Sequence, residues 1–173
     1  MSVPNIKAKN IVLIGMPGSG KSTLGVLLAK ALGLGFLDTD IVIQQREGRM
    51  LQDIIDRDGT DAFLLCEERA ICSVEPHGCV VATGGSAVYS AKAMEHLGRT
   101  GLVVYLRTPY EEISRRLRDI STRGVVLKNG ATLRQTYYER APLYEKYAHL
   151  AVDCSEESLE TTLNEMVKKI RTL

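Results

Sequence analysis

Apolar residues fall along the chain in two kinds of run. Five short continuous runs, NIVLI (10–14), FLD (36–38), CVVA (79–82), LVVYL (102–106) and LAV (150–152), are each bounded by Gly or polar residues. None alternates with polar residues, the pattern of strands covered on both faces. The stretches between them place apolar residues at helical spacing, as in Leu24, Leu27, Leu28, Ala31 and Leu32. Strands alternating with helices predict an α/β fold with a parallel sheet and right-handed crossovers.

Two stretches break the alternation. Between Asp40 and Ser73 the periodicity predicts about three helical segments, more than a simple crossover between strands needs. Between Ile120 and Thr132 the chain is rich in Ser, Gly, Lys and Arg without an apolar period, which predicts a mobile loop. The 173 residues are the length of one domain, and no internal repeat divides them.

Composition narrows the partners. Lys and Arg number 22 against 21 Asp and Glu, so no general attraction to nucleic acid or an anionic membrane is expected. No apolar stretch approaches a membrane span, and MSVPNIKAKN lacks the apolar core of a secretory signal, so the expected compartment is the cytoplasm. Cys66, Cys72, Cys79 and Cys154 form no close CxxC pair, and His77, His96 and His149 are equally scattered. Free, mostly buried thiols are expected, and neither set predicts a metal cage.

Chemistry enters at GMPGSGKS. Gly15 to Ser22 fits G-x-x-x-x-G-K-[ST], after a predicted strand and before a predicted helix, the context that separates a phosphate loop from a plain Gly turn. Such a loop turns backbone N–H groups toward phosphate oxygens, and the helix start adds its positive dipole end. Lys21 is placed to reach the β- and γ-phosphates of ATP and Ser22 to put its hydroxyl on Mg²⁺.

Phosphate binding does not choose among a kinase, a hydrolysing switch and a passive sensor, so the other strand ends matter. FLDTD puts Asp38 and Asp40 on one side of an extended chain. There Asp38 can hold a Mg²⁺-bound water and Asp40 can accept the proton of a substrate hydroxyl. Alternatively, one of them caps a helix starting near Ile41. VVATGGS brings Gly84 and Gly85 to a third strand end, as a ligand-binding loop or a simple turn. Arg115, Arg116 and Arg118 fall on a helix after the fourth strand, Arg123 in the predicted loop, and Arg140 in ERAPLYEKYA. An arginine on a closing loop can neutralise charge in phosphoryl transfer, although most surface arginines do not.

GMPGSGKSTLG, FLDTDIVIQQREGR, the DG…F…EE segment, ATGGS and RAPLYEKYA, in this order across nearly the whole chain, resemble the shikimate kinase family. The resemblance implies a single P-loop NTPase domain over residues 1–173, of the nucleoside-monophosphate-kinase-like type: a three-layer α/β/α fold with a five-stranded parallel sheet. It further implies a substrate-binding helical insert at about 40–73 and a lid at about 120–132. The implied activity is ATP- and Mg²⁺-dependent phosphorylation of shikimate to shikimate 3-phosphate by a cytoplasmic monomer, in aromatic amino acid biosynthesis. Gly18, Ser19, Gly20, Lys21, Ser22 and Thr23 then fall at the nucleotide phosphates and Mg²⁺, and Asp38 on the metal side. Asp40, Phe63, Gly84, Gly85 and Arg140 fall at the substrate, Arg116 beside the adenine and Arg123 on the lid. Lys21, Asp40 and Arg123 are the implied catalytic set.

The chain departs from the family pattern on the acceptor side. Leu64 stands where the family has a carboxylate-binding Arg, which Leu cannot replace. Glu67 thereby loses the cation expected beside it, with Arg49, Arg57 and Arg69 as possible substitutes. Thr60, Ser86 and Gly124 are further departures. They leave open a kinase of another hydroxylated metabolite and, in a different class, a nucleotide-binding regulatory module.

Overall fold

The computed structural model describes residues 9–118, 127, 130–154 and 158–173. Five strands, β1 (Asn10–Ile14), β2 (Gly35–Asp38), β3 (Cys79–Ala82), β4 (Gly101–Arg107) and β5 (Leu150–Asp153), form one parallel sheet in the order β2-β3-β1-β4-β5. All five coincide with the apolar runs of the sequence to within one residue at either end. The helices among the described residues are α1 (Lys21–Leu32), α2 (Thr39–Glu47), α3 (Leu51–Asp58), α4 (Thr60–Ser73), α5 (Ala91–Thr100), α6 (Tyr110–Arg118), α7 (Leu133–Tyr147) and α8 (Leu159–Arg171). None of them is long and apolar enough to cross a membrane.

Burial on both faces explains why the central strands read as unbroken apolar runs. In β1, Ile11 and Leu13 face one cluster with Val80, Val104 and Leu106, closed by Leu24 and Leu28 of α1 and Met166 and Ile170 of α8. Val12 and Ile14 face the opposite cluster with Val81, Val103 and Tyr105, closed by Met94 and Leu97 of α5 and Tyr144 of α7. Period-two side chains thus feed two helical layers, giving a three-layer α/β/α fold. The three helices between β2 and β3 have their own small core of Ile43, Ile54, Phe63 and Ala70.

The strand order makes β1 the switch point. Its parallel neighbours β3 and β4 lie on either side, and the crevice at the carboxyl ends beside such a strand is where ligands lie in open α/β sheets. The phosphate-loop motif begins at that end of β1. Asp38 and the Thr83–Ser86 segment end β2 and β3 at the same edge. A 3₁₀ turn at Ala87–Tyr89, unmarked by any periodicity, follows directly and turns the chain into α5.

All four thiols are free, but only Cys154 is buried. Cys66 and Cys72, on α4, and Cys79, the first residue of β3, are half-buried, which corrects the expectation of mostly buried thiols. The predicted lid, Ile120 to Thr132, lies almost wholly outside the described residues. At its far end Thr132 caps α7, its hydroxyl accepting from the Gln135 N–H at 3.2 Å while Gln135 Oε1 accepts from the Thr132 N–H at 2.9 Å.

Candidate active site

A cleft of about 420 Å³ opens at the carboxyl edge of the sheet, lined by Gly18, Lys21, Ser22 and Asp38 together with Asp40, Phe63, Glu67, Gly84 and Arg140. The phosphate loop wraps from β1 into α1 with Gly18 at φ 81° and Gly20 at φ 93°, left-handed values that strain any residue with a Cβ. Gly20 is the N-cap of α1, so the helix starts with its free N–H groups at the cleft. The Lys21 ammonium is buried over the loop, donating to the carbonyls of Gly15 and Met16 at 2.8 Å each. Ser19, also buried, has its hydroxyl 3.4 Å from the same ammonium. Thr23, on the first turn of α1, is exposed and does not line the cleft.

Asp38 has two bonds at once. Its Oδ2 accepts from the Ser22 hydroxyl at 2.7 Å, and its Oδ1 accepts from the Asp40 N–H at 3.0 Å, capping α2. The chain therefore becomes helical at Thr39, not near Ile41, and Asp40 occupies the first helical turn. The expectation that both aspartates project from one extended segment is corrected. The cap ends the strand, and the helical turn still leaves both carboxylates on the cleft wall.

Gly84 and Gly85 are required by close approach. A methyl group on Gly84 would collide with Glu67 Oε1 and stand 3.0 Å from Asp40 Oδ1, while one on Gly85 would come 2.5 Å from Pro17 Cδ. The segment is held from three sides: the Gly84 N–H donates to Thr39 Oγ1 at 3.3 Å, the Gly85 carbonyl accepts from the Tyr144 hydroxyl at 2.6 Å, and Ser86 donates to Glu67 Oε2 at 2.5 Å. Burial raises the pKa of Tyr144, keeping it a donor.

Arg140 reaches the cleft from α7 and is 1% exposed. Its Nε donates to the Tyr89 hydroxyl at 3.2 Å, and its guanidinium lies 4.9 Å from the centre of that ring. Phe63 closes the floor and belongs to the core of the three-helix segment. Leu64, one position on along α4, packs against that core and does not line the cleft. Neither Arg49, Arg57 nor Arg69 lines it, and Arg49 is paired with Asp58 at 2.6 Å. None of the three supplies the cation that Leu64 omits.

Glu67 is not left partnerless, as the sequence implied. Ser86, itself one of the departures, bonds it, a pairing that sequence spacing could not reveal. Burial is the main force on its carboxyl, raising its pKa to about 7, with Asp40 adding to the rise and the Ser86 bond, Arg140 and Lys21 opposing it.

Arg116 is placed against the phosphate loop, its Nη1 donating to the Gly18 carbonyl at 3.0 Å. It is held there by Glu112, whose carboxylate takes bonds from Arg115 at 2.6 Å and Arg116 at 2.7 Å and is thereby kept below the usual carboxylate range. Thr39, Tyr89 and Tyr144 escaped the sequence reading because each acts through a contact distant in the chain, and Glu112 because its local bonds matter only through the contact of Arg116 with Gly18, 98 positions away. Arg123 lies outside the described residues.

No group of three or more His, Cys, Asp or Glu poised for a metal exists among the described residues. Ser22 and Asp38 nevertheless fit Mg²⁺, a hard cation that commonly takes one or two protein oxygens and completes its shell with phosphates and water.

The family model described as shikimate kinase matches residues 17–171. A shikimate kinase of Thiobacillus denitrificans is 38% identical over 156 residues, covering 88% of this chain and 85% of its own. Another, of Paracidovorax citrulli, is 43% identical over 151 residues, covering 83% and 81% respectively. A solved shikimate kinase from Acinetobacter baumannii in complex with shikimate superposes with a TM-score of 0.84 at 32% identity, covering 95% of this chain and 94% of that one. Sequence and backbone thus agree over almost the full length, and the chain belongs to the shikimate kinase family.

Proposed function

We propose that the protein transfers the terminal phosphoryl group of ATP to a hydroxyl of shikimate, the 3-hydroxyl by the family pattern. The observation that carries this reading is a single cleft with a phosphate cradle, Gly18 to Ser22, on one wall and Asp40, Gly84 and Arg140 on the facing wall. A nucleotide sensor has no use for the second wall, which speaks against the regulatory alternative. The family match disfavours a different acceptor.

In this reading the loop amides and the α1 N-terminus hold the phosphates, and Lys21 exchanges loop carbonyls for phosphate oxygens, stabilising charge as it moves. Arg116 keeps the Gly18 end of the cradle in place. Ser22 and Asp38 would hold Mg²⁺, which would supply neutralisation of phosphate charge when bound. Asp40 orients the attacking hydroxyl and takes its proton, needing only hydrogen-bond reach once the acceptor is in place. Arg140, buried and charged, binds the acceptor carboxylate. Arg123, by the family pattern, is the lid cation over the transferring group.

The test is ADP release with Mg²⁺ and ATP against a panel of shikimate, other hydroxy acids and polyols. Turnover that depends on shikimate is expected. Turnover only with an acceptor lacking a carboxylate, or tight ATP binding without turnover, would overturn the assignment.

A further inference from the structure

Besides Asp38 and Asp40 the cleft contains a third carboxyl, whose place in the reaction the aspartates do not explain. Glu67 is 2% exposed, and Oε2 is fixed by the Ser86 hydroxyl at 2.5 Å. Oε1 is buried and has no hydrogen-bond partner among the described residues. It lies against Gly84, on the same face as Asp40 Oδ1, and Glu67 lines the cleft. A buried oxygen without a partner costs on the order of 1–3 kcal/mol, and on a residue that lines the cleft a ligand group is the partner that can complete it.

We propose that Glu67 is a specificity-determining residue: held through Oε2 by Ser86, it donates a hydrogen bond from protonated Oε1 to the carboxylate of the acceptor, beside Arg140. This rests on the reading above that the acceptor is shikimate. Burial is the main force on its state, modulated by the facing groups from each element packed around it: the Ser86 hydroxyl, Asp40 of α2, Arg140 of α7 and Lys21 of α1. Glu68, next on α4, turns away to Ser90 at 2.7 Å and Lys92 at 3.9 Å. Protonated, the carboxyl offers the donor that Leu64 cannot. Ionised, it can only accept, and its charge repels the acceptor's carboxylate while competing for Arg140.

The sign follows: acceptor binding weakens as pH rises through neutrality. With Glu67 titrating near 7, the shikimate Kd by calorimetry should rise about tenfold between pH 6 and pH 8. Glu67→Gln keeps a donor and the size but cannot ionise, so its Kd should vary less than about twofold over that range. Ser86→Ala removes a bond that favours the ionised form, so the midpoint should move to higher pH, a shift that a merely structural role would not produce.

A wild-type Kd that stays flat, or a Glu67→Gln profile that follows wild type, would each overturn the proposal. Shikimate turnover alongside a flat Kd would leave the proposed activity standing. The predicted pH dependence without turnover would support the role of Glu67 and sink the activity. Absence of shikimate binding at every pH would overturn both.

Discussion

The two walls of the cleft are built by opposite means. The phosphate wall is one contiguous octapeptide, Gly15 to Ser22, acting largely through backbone N–H groups and carbonyls shaped by its glycines. The acceptor wall is assembled from four separate segments, at Asp40, Phe63 with Glu67, Gly84 to Ser86 and Arg140, most of them acting through side chains. A backbone cradle tolerates little change at any position because its geometry is shared by every residue in it. A side-chain wall can lose one member and recruit another, as Leu64 and Ser86 illustrate around Glu67.

The largest break in that contrast is Lys21→Ala. The Lys21 ammonium holds two carbonyls of the loop and is the only side-chain cation lining the cleft on the phosphate wall among the described residues. Its loss should lower kcat by about a hundredfold or more, with a far smaller change in the affinity for shikimate, as read by steady-state kinetics and calorimetry. A comparable loss of shikimate affinity would show that the two walls are not separable.

Next is the stability effect of Glu67. Its pKa is raised from 4.5 to about 7, so the native state holds this proton more tightly than the unfolded chain. Its contribution is complete below about pH 4.5 and is lost as pH rises through 7, by on the order of 3 kcal/mol at most. Urea melts at pH 5 and pH 8 should show wild type losing stability relative to Glu67→Gln. Parallel behaviour of the two would place the ionised carboxylate in a solvated site.

Leu64→Arg sharpens the comparison from the other direction. Leu64 borders a neighbouring hollow of about 340 Å³ shared with Glu67, Glu68 and Ser86, room into which a guanidinium can extend. It should lower the KM for shikimate at pH 8 roughly tenfold, the scale of one charge-assisted bond, by pairing Glu67 and contacting the acceptor. No gain, or a rise in KM, would show a wall rebuilt around Leu.

The smallest effect is expected away from both walls. Arg107 and Asp153 form a two-bonded pair at the ends of β4 and β5, yet their side chains are 47% and 61% exposed. Arg107→Ala should cost less than about 1 kcal/mol in a urea melt and leave both substrates' KM values in place.

The same contrast explains what was legible in the sequence. The strands announced themselves because both faces of β1 and its neighbours are buried, and the phosphate loop because its function is written in adjacent residues. Leu64 was visible as a departure, but its consequence was not: the Ser86 hydroxyl that holds Glu67 is 19 residues away, and only the turn after β3 brings it there. Tyr144 reaches the Gly85 carbonyl across 59 positions, and Arg116 reaches Gly18 across 98. Asp38 was read as a metal-side residue or a helix cap; its Oδ1 caps α2, and its Oδ2 accepts from the Ser22 hydroxyl.

The most direct test of the whole account is an exhausted reaction of wild-type protein with limiting shikimate and excess Mg²⁺ and ATP, its products weighed by mass spectrometry and its ADP counted. One phosphoryl group on every shikimate, with one ADP formed for each, is the predicted result. ADP accumulating equally without shikimate, or shikimate recovered unmodified, would contradict it.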